Sequence, residues 1–241
     1  METVLRTVLI FGASGSIGQA LCTHFLSQDC FVLGVGRQIT PKNSNPNLTW
    51  VIWNDDPVIF AHSIKEGLAG KRLDSLVWAQ GMNFNDDIES FDLAKHQEMY
   101  DANVTFIPRS LQALMKSQLL SKDARLCVIS SIWQNIARQN KLSYCITKSA
   151  LQGLVQSMSI DLGKQGILIN AVLPGALDTQ MTRANLSKSQ IKSLEAATPL
   201  ATLPQLNDVA GLVDFLCSTN NTGITGQFIA ADRGFSHARI L

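Results

Sequence analysis

Short runs of apolar residues alternate along the chain with segments in which apolar positions recur every three or four residues. Runs of the first kind have the length of β-strands, and segments of the second kind have the spacing of amphipathic helices. The strand-length runs cover residues 7–11, 31–37, 50–53, 74–79, 125–131, 167–173 and 227–231. Strands that alternate with helices pack as a parallel sheet between helical layers. The pattern therefore predicts an α/β fold with one doubly wound parallel sheet.

The same pattern predicts helices and the segments that connect them. The predicted helices cover residues 19–26, 57–69, 93–120, 142–163 and 208–218. Pro108 has no N–H to donate, so we expect it to kink or divide the helix that contains it. Residues 38–49 are rich in Asn and Pro and predict a loop. Residues 180–203 are polar and weakly helical, and we expect them to cover a binding site. No repeat, linker or second core interrupts the pattern, so residues 1–241 are interpreted as one domain.

Composition narrows the classes of partner. The chain has 46% hydrophobic residues, 16% charged residues and a formal net charge of +1, which gives no reason to expect a nucleic-acid or membrane-surface partner. Its apolar runs are too short for a transmembrane helix, and its N-terminus does not resemble a secretory signal. Five cysteines without a C-x-x-C spacing are interpreted as reduced thiols of a cytoplasmic protein. Four widely spaced histidines predict no metal site.

A glycine-rich loop follows the first predicted strand and precedes the first predicted helix. Its sequence is Gly12-Ala13-Ser14-Gly15-Ser16-Ile17-Gly18. Glycines let the backbone turn tightly and approach a pyrophosphate, which then lies at the positive N-terminus of the helix. A tight turn without a ligand is the alternative, but the order of strand, glycine loop and helix favours nucleotide binding. The candidate cofactor-binding residues of this loop are Gly12, Ser14, Ser16, Ile17 and Gly18.

The residues after the second and third strands bear on which nucleotide is bound. Eighteen residues beyond Gly18, where an NAD-dependent enzyme places an acidic residue for the ribose hydroxyls, the chain has Gly36, followed by Arg37. An arginine here suits a 2′-phosphate by its charge and its planar fork of donors, although a surface arginine at a strand end is the plain alternative. Asn54 or Asp55 are candidates for contact with an adenine. We therefore expect NADP(H) in preference to NAD(H).

Tyr144 and Lys148 lie four residues apart in a predicted helix, a spacing that places both side chains on one face. Ser131 stands thirteen residues before the tyrosine, at the end of an apolar strand. Together they can hold one carbonyl oxygen from two sides. We expect the ammonium of Lys148 to lower the pKa of Tyr144 from about 10 to about 7. Such a tyrosine acts as a general acid or base near neutral pH, whereas a solvated Tyr–Lys pair is the ordinary alternative.

Taken together, these motifs resemble the short-chain dehydrogenase/reductase family, in particular its carbonyl reductases and 3-oxoacyl-acyl-carrier-protein reductases. The resemblance extends from residue 8 to residue 234 and adds Asn103, Pro174-Gly175 and Thr179 to the set. The gaps of thirteen residues between Ser and Tyr and of four between Tyr and Lys match the spacing of that family. Occurrence of all the motifs in this order is far more specific than any one of them. The resemblance implies a Rossmann-type sheet.

The family resemblance also implies a role for each matching residue. Ser131 would position the substrate carbonyl, Tyr144 would donate a proton to its oxygen, and Lys148 would lower the tyrosine pKa and hold the nicotinamide ribose. Asn103 would anchor a water in the proton relay. The remaining cofactor-binding positions are Ala79, Gln80, Gly81, Pro174 and Gly175, with Leu177 and Thr179 near the nicotinamide carboxamide and the phosphates.

The chain departs from the family pattern at two neighbouring places. The family usually has Thr before the first glycine of the loop, where this chain has Phe11. It usually has Asn-Asn-Ala-Gly after the fourth strand, where this chain has Trp78-Ala79-Gln80-Gly81. We infer that a polar contact beneath the cofactor is exchanged for an apolar one, with Phe11 packed near Trp78 or Ala79. This exchange preserves the fold and bears on cofactor affinity.

The expected activity is that of an NADP(H)-dependent carbonyl reductase or alcohol dehydrogenase, which interconverts a ketone and a secondary alcohol by hydride transfer. A non-catalytic NADP-binding sensor or scaffold is one alternative, and the intact set of catalytic residues argues against it. A sugar-nucleotide epimerase or dehydratase is another. The glycine spacing of the loop allows it, but the short chain after Thr179 opposes it.

Substrate and assembly are less specified by the sequence. The residues expected to line the substrate, 82–84, 133–135 and 180–203, declare no chemical class beyond a small-molecule carbonyl or alcohol. The family resemblance implies a homo-oligomer, namely a tetramer. Apolar residues on more than one side of the predicted helices, and the apolar end of the tail 235–241, support that expectation.

Overall fold

The computed structural model describes residues 5–38, 45–179, 182–183 and 186–237, and a parallel sheet forms its centre. The strands are β1 (Thr7–Phe11), β2 (Phe31–Gly36), β3 (Leu48–Ile52), β4 (Leu73–Trp78), β5 (Leu120–Ile129), β6 (Leu168–Pro174) and β7 (Phe228–Ala231). Their spatial order is β3-β2-β1-β4-β5-β6-β7, and every pair is parallel. Successive strands are added to one side of β1 up to β3 and to its other side from β4 onward. Folds of this kind bind ligands at this switch between β1 and β4, at the carboxyl ends of the strands. The predicted doubly wound parallel sheet is confirmed.

Helices cover both faces of the sheet. In the described residues they are α1 (Ser16–Ser27), α2 (Pro57–Leu68), α3 (Leu93–Tyr100), α4 (Phe106–Lys116), α5 (Leu142–Gly163), α6 (Lys188–Ala196) and α7 (Leu206–Cys217). Most lie within about two residues of the bounds expected from the apolar pattern. No helix in this part of the chain is long and apolar enough to cross a membrane.

Strand β5 differs from its prediction at both ends. It begins at Leu120 rather than at residue 125, because exposed polar residues interrupt its apolar pattern near its start, and its pairing with β4 shifts register there. It ends at Ile129, so Ser131 lies two residues beyond the strand. Ser131 instead caps a 3₁₀-helix, Ile132–Gln134, and accepts a hydrogen bond from the Trp133 N–H.

The predicted helix over residues 93–120 is divided by a π-helical turn, Asp101–Thr105, and it ends at Lys116. In this turn the N–H of Phe106 donates to the carbonyl of Asp101, five residues back. Pro108 has no N–H for the carbonyl of Val104, so the α-helical ladder is interrupted just before it. The expected division is therefore present as a widened turn, and buried Asn103 lies within it.

The two faces of the sheet carry separate apolar layers because strand side chains alternate in direction. Leu9 and Phe11 of β1 pack with α2, α4 and α5 on one face. Val8 and Ile10 pack with α1 and α7 on the other face. The sheet is thus buried on both sides, as its nearly continuous apolar strands require. This rigid core holds the loops at the carboxyl ends of the strands.

Candidate active site

The glycine loop joins β1 to α1 where the sheet reverses. Gly12 has a positive φ of 71°, and a Cβ there would lie 2.5 Å from the backbone nitrogen of Gln80. A Cβ at Gly18 would overlap the Gly12 carbonyl. Helix α1 begins at Ser16, after Gly15, and no side chain caps its first turn. Its N–H groups therefore face outward for an anion. The loop is a cradle that only glycine permits, and it fits a pyrophosphate.

Ser14, Gly36 and Arg37 lie together at one side of this loop. A Cβ added at Gly36 would lie 3.5 Å from the hydroxyl of Ser14. Arg37 is exposed, and within the described ranges no carboxylate lies at ion-pair distance from it. Ile17, by contrast, packs partly against the core. The structure thus places the Ser14 hydroxyl beside Gly36, which exposed Arg37 follows in the chain.

Asn54 and Asp55 follow β3 at the exposed rim of the site. The side-chain oxygen Oδ1 of Asn54 accepts the backbone N–H of Asp56 at 2.8 Å, and this bond begins the turn into α2. The carboxylate of Asp55 accepts the indole N–H of Trp53 at 3.0 Å. Both side chains therefore stabilise the local turn. Their place beside the loop agrees with the expected adenine contact, but these oxygens already have donors.

The segment after β4 forms the floor beneath the glycine loop. The N–H of Ala79 donates to the Phe11 carbonyl at 3.0 Å, which extends the sheet by one step. A Cβ at Gly81 would lie 3.3 Å from Oδ1 of Asn103. The side-chain oxygen of Gln80 is buried and has no hydrogen-bond partner within the described residues. A buried acceptor of this kind is costly unless a donor reaches it. It therefore marks a position for a ligand hydroxyl or amide.

The end of β6 forms the opposite wall. Pro174 is the last residue of the strand, and a Cβ at Gly175 would lie 2.9 Å from Cβ of Asp232. Leu177 is buried in the core. The hydroxyl of Thr179 accepts the backbone N–H three residues on, at 3.1 Å. The close approach of Gly175 to the loop after β7 leaves no room for a side chain there. Cofactor contact by these residues stays a prediction.

The expected cover, 180–203, contains helix α6. Residues 180, 181, 184 and 185 lie outside the described residues. Ser187 begins α6 with a capping box formed with Gln190. Towards the end of the segment Thr198 and Leu203 are each only 3% exposed. The described part of the cover is therefore a helix whose C-terminal connection is anchored in the protein.

Ser131, Tyr144 and Lys148 meet between the end of β5 and the first turns of α5. Ser131 is 6% exposed, and its hydroxyl lies close enough to the phenol of Tyr144 to favour the ionised form of that phenol. Lys148 is 4% exposed, lies 5.6 Å from the centroid of the Tyr144 ring and donates to the carbonyl of Ile129 at 3.1 Å. The spacing in sequence thus becomes proximity in space. A carbonyl oxygen can be reached by both hydroxyls at once.

The prediction that Lys148 lowers the pKa of Tyr144 is wrong. Tyr144 is partly exposed, yet burial raises its pKa above the ordinary value, and the Ser131 hydroxyl opposes this only in part. The same desolvation lowers the pKa of Lys148 to about 8. The ammonium is directed to the Ile129 carbonyl rather than to the phenol. Burial therefore outweighs charge attraction in setting the tyrosine pKa.

Asn103 is placed by the π-helical turn so that its amide joins two elements. Its nitrogen donates to the Met82 carbonyl and to the Thr147 hydroxyl, both at 3.0 Å. Its oxygen accepts the Met82 N–H at 2.7 Å. The Thr147 hydroxyl in turn donates to the Tyr144 carbonyl at 2.9 Å. One amide hydrogen is thus committed to the Met82 carbonyl and the other to α5 through Thr147, so the side chain has no donor left for the expected relay water.

A further cluster at the start of α5 was missed by sequence reasoning. The carboxylate of Asp86, 4% exposed, accepts the backbone N–H of Ser143 at 3.0 and 3.2 Å and also accepts its hydroxyl. The same hydroxyl lies 2.8 Å from Nδ1 of His96. Helix α5 has no capping side chain of its own, so Asp86 caps it from a distant loop, one residue before Tyr144. Partners separated by 57 residues leave no local signal in the sequence.

Comparisons with known proteins agree with this geometry. A family model described as Enoyl-(Acyl carrier protein) reductase matches residues 60–236. The 3-oxoacyl-[acyl-carrier-protein] reductase FabG of Salmonella typhimurium is 24% identical over 239 residues, which cover 95% of this chain and 96% of that protein.

Two solved structures share the fold. ElxO with NADP bound has a TM-score of 0.83 at 24% identity, covering 96% of this chain and 99% of that one. A short chain dehydrogenase from Leptospira borgpetersenii with bound NAD+ has a TM-score of 0.83 at 21% identity, covering 96% and 93%. Since the family model matches well over half of the chain, this protein belongs to the short-chain dehydrogenase/reductase family of oxidoreductases.

Proposed function

We propose that this protein interconverts a ketone and a secondary alcohol with NADP(H), and that Tyr144 is its general acid/base. The observation that carries the proposal is the proximity of Ser131 and of buried Lys148 to Tyr144. Two hydroxyls that converge on one point can bind a carbonyl oxygen and protonate it. The family assignment supports an enzyme that acts on such a group.

The cofactor site fits a dinucleotide. The cradle around Gly12 and Gly18, with the uncapped start of α1, would hold the pyrophosphate. Arg37 and Ser14 would hold a 2′-phosphate. ElxO holds NADP and the Leptospira protein holds NAD+, so the fold alone does not select, and these two residues support our choice of NADP(H). The bound nicotinamide would supply or accept the hydride.

The protein's part in the reaction is to orient the carbonyl and to move one proton. Because burial raises the pKa of Tyr144, its hydroxyl holds a proton at neutral pH. In reduction, Tyr144 donates this proton to the carbonyl oxygen while Ser131 donates a hydrogen bond to the same atom. Lys148, which donates to the Ile129 carbonyl, lies 5.6 Å from the ring centroid of the phenolate that forms. In oxidation Tyr144 must first lose its proton, so we expect oxidation to require a higher pH than reduction.

The remaining site residues have supporting roles in this proposal. Asn103 positions α5 through Thr147, and a relay water would be held by a group other than its amide nitrogen. The other proposed cofactor contacts come from Ser16, Ile17, Asn54, Asp55, Ala79, Gln80, Gly81, Pro174, Gly175, Leu177 and Thr179. Residues 180–203 would cover the substrate, and residues 1–241 would act as one domain.

The two alternative functions receive less support. A non-catalytic sensor would not require Ser131 beside Tyr144 or the burial of Lys148. Support for a sugar-nucleotide epimerase is limited to the spacing of Gly12, Gly15 and Gly18 in the loop. The reductase proposal accounts for both features.

Assembly into a homo-oligomer, a tetramer, is part of the proposal. Helix α5 exposes Ile146 (41%) and Ile160 (79%), and Gly153 lies between them with open space beside it. An apolar stripe with a central glycine allows a second helix to approach closely. The end of the tail, Ile240-Leu241, lies outside the described residues. Light scattering at micromolar concentration tests this, and a monomer there contradicts it.

The proposed compartment is the cytoplasm. The five cysteines are all free, four of them buried, which agrees with a reducing environment.

The test of function is a screen of NADPH consumption with acyl thioester, sugar and steroid ketones. Turnover of at least one ketone class supports the proposal. Cofactor binding without turnover of any ketone or alcohol would favour the sensor.

A further inference from the structure

Two lysines, not one, flank the ring of Tyr144. Lys148 lies 5.6 Å from the ring centroid, and Lys141 lies 6.0 Å from it. Lys148 is buried and bonded to the backbone of β5. Lys141 precedes α5 and lines an open cavity. The first lysine belongs to the site already described, whereas the second has no role in it.

Lys141 is held in place without a counter-ion. Its ammonium donates to Oδ1 of Asn83 at 2.7 Å and to the carbonyl of Phe84 at 3.2 Å. Within the described ranges no carboxylate lies at ion-pair distance from it. Desolvation lowers the pKa of Lys141, and the nearby charge of Arg138 lowers it further, although Asp86 opposes this. A partly buried cation that repels its neighbour is stabilised by an added anion.

Arg138 is the second cation on this side of the site. Its guanidinium lies 5.8 Å from the ring centroid of Trp133, and it too has no ion pair within the described part of the chain. Trp133 contacts Phe235 edge-to-face, with 6.4 Å between centroids. Arg138 thus borders one segment expected to line the substrate, 133–135, while Lys141 is bonded to the other, 82–84.

A cavity of about 670 Å³ lies between the loop at residues 86–88 and the start of α5. Its lining includes Arg138, Lys141 and two acidic residues, Asp86 and Asp87. Both carboxylates are already bonded. Asp86 caps α5 through Ser143, and Asp87 accepts the hydroxyl of Ser90 at 2.7 Å. Within the described residues neither carboxylate lies at ion-pair distance from Arg138 or Lys141, so both cations remain available to an added anion.

We propose that Lys141 and Arg138 select a substrate that carries an oxyanion, a carboxylate or a phosphate, in addition to the reacting carbonyl. This inference rests on the proposed function and narrows its substrate to anionic ketones or alcohols. The planar fork of Arg138 suits either oxyanion, and the ammonium of Lys141 supplies a second contact. An anion bound by Lys141, whose ammonium lies 6.0 Å from the ring centroid of Tyr144, would hold the substrate carbonyl near that tyrosine.

The test compares ketones in matched pairs that differ only in charge. One pair is an oxo acid and its methyl ester, and the other is a hydroxyketone phosphate and the free hydroxyketone. We expect kcat/KM of the wild type to favour one anionic member at least tenfold, and the two pairs distinguish carboxylate from phosphate. In the wild type, the ratio of kcat/KM for the anionic member to kcat/KM for the neutral member should decrease with added salt. In the double variant Lys141→Met with Arg138→Met, this ratio should be at least tenfold lower and should no longer depend on salt.

Two variants separate this role from a structural one. Lys141→Arg keeps the charge and should retain most of the preference. Lys116→Met removes an exposed lysine bonded only to Gln112 on the same helix and should leave the ratio unchanged. Equal use of both members of each pair by the wild type, or a preference that survives the double variant, would overturn the inference while leaving the ketone reductase proposal intact. If no ketone or alcohol is turned over with either nicotinamide cofactor, the proposed function fails and this inference fails with it.

Discussion

The rings of Phe11 and Trp78 stack in parallel at the ends of β1 and β4, with 5.8 Å between centroids and 10° between planes. Phe11 also meets Phe106 edge-to-face at 5.3 Å. The indole N–H of Trp78 donates to the hydroxyl of Ser110 at 2.9 Å. The contact inferred from the two departures from the family pattern is thereby confirmed. An aromatic cluster occupies the positions where the family usually has a hydroxyl and amides, and it packs next to the glycine loop.

Replacement of this ring should destabilise the fold. Phe11 is fully buried, so Phe11→Ala leaves a cavity and should lower the free energy of unfolding by about 3–5 kcal/mol. Phe215→Ala removes a phenylalanine that is 43% exposed and should cost about 1 kcal/mol. Urea denaturation followed by tryptophan fluorescence measures both. Equal losses in the two variants would mean that the aromatic cluster adds nothing.

Removal of the proposed proton donor should separate chemistry from binding. Tyr144→Phe should keep the fold and cofactor binding but lose nearly all turnover, because only a hydroxyl is lost. Tyr100→Phe, at the other tyrosine of the chain, should retain activity. The measurements are kcat on an accepted ketone and NADPH binding by fluorescence. Retention of a tenth of the wild-type kcat by Tyr144→Phe would show that the assigned role is wrong.

The distant cap on α5 should contribute to stability and to catalysis. Asp86→Ala leaves the N–H and hydroxyl of Ser143 unpaired in a buried site, which should cost roughly 1–3 kcal/mol and reduce kcat by loosening the helix that carries Tyr144. Asp87→Ala removes the adjacent, exposed carboxylate and serves as the control. Chemical denaturation and steady-state kinetics check both effects. If Asp87→Ala proved as damaging as Asp86→Ala, the cap would have no special role.

Cofactor preference should depend on Gly36 and Arg37. A charge-assisted contact from Arg37 to a 2′-phosphate is worth roughly 1.5–3 kcal/mol, which is about ten- to a hundredfold in preference. The wild type should therefore favour NADPH. Gly36→Asp with Arg37→Ala should favour NADH, because the new carboxylate accepts the ribose hydroxyls and repels a phosphate.

The measurement for this prediction is kcat/KM with each cofactor. Gly36→Ala is the matched control, since it adds a Cβ without a charge at a position where the nearest atoms lie 3.2 Å or more away. Equal use of NADPH and NADH by the wild type would refute the assignment.

Burial of Lys148 should appear as a pH dependence of stability. Its folded-state pKa of about 8 lies below the ordinary value of 10.5. Between these pH values the unfolded chain binds more protons than the native one, so stability rises with pH. Relative to Lys148→Met, the wild type should gain about 3 kcal/mol from pH 8 to pH 10.5. Thermal or urea unfolding of both proteins across this range tests it. A constant difference would show that the ammonium is not desolvated, and Lys116→Met provides the control variant.

Local patterns in the sequence were sufficient for the fold and for the centre of the site. Apolar strands that alternate with amphipathic helices have one stable layered arrangement, so the parallel sheet was predictable. The pairing of Tyr144 with Lys148 was equally predictable because side chains four apart share one face of a helix. The place of Ser131 beside them was expected from its position at the end of the strand before that helix, although the contact itself depends on how β5 and α5 are packed.

Tertiary structure alone decided the features that join distant parts of the chain. Asp86 and His96 converge on the hydroxyl of Ser143, although 57 and 47 residues separate them from that serine. No periodicity records such a contact. The direction of the Tyr144 pKa also depended on tertiary structure, because desolvation is set by everything that packs around a group and not by its neighbours in sequence. Motif spacing therefore determined which residues meet at Tyr144, whereas packing determined the direction of their pKa shifts.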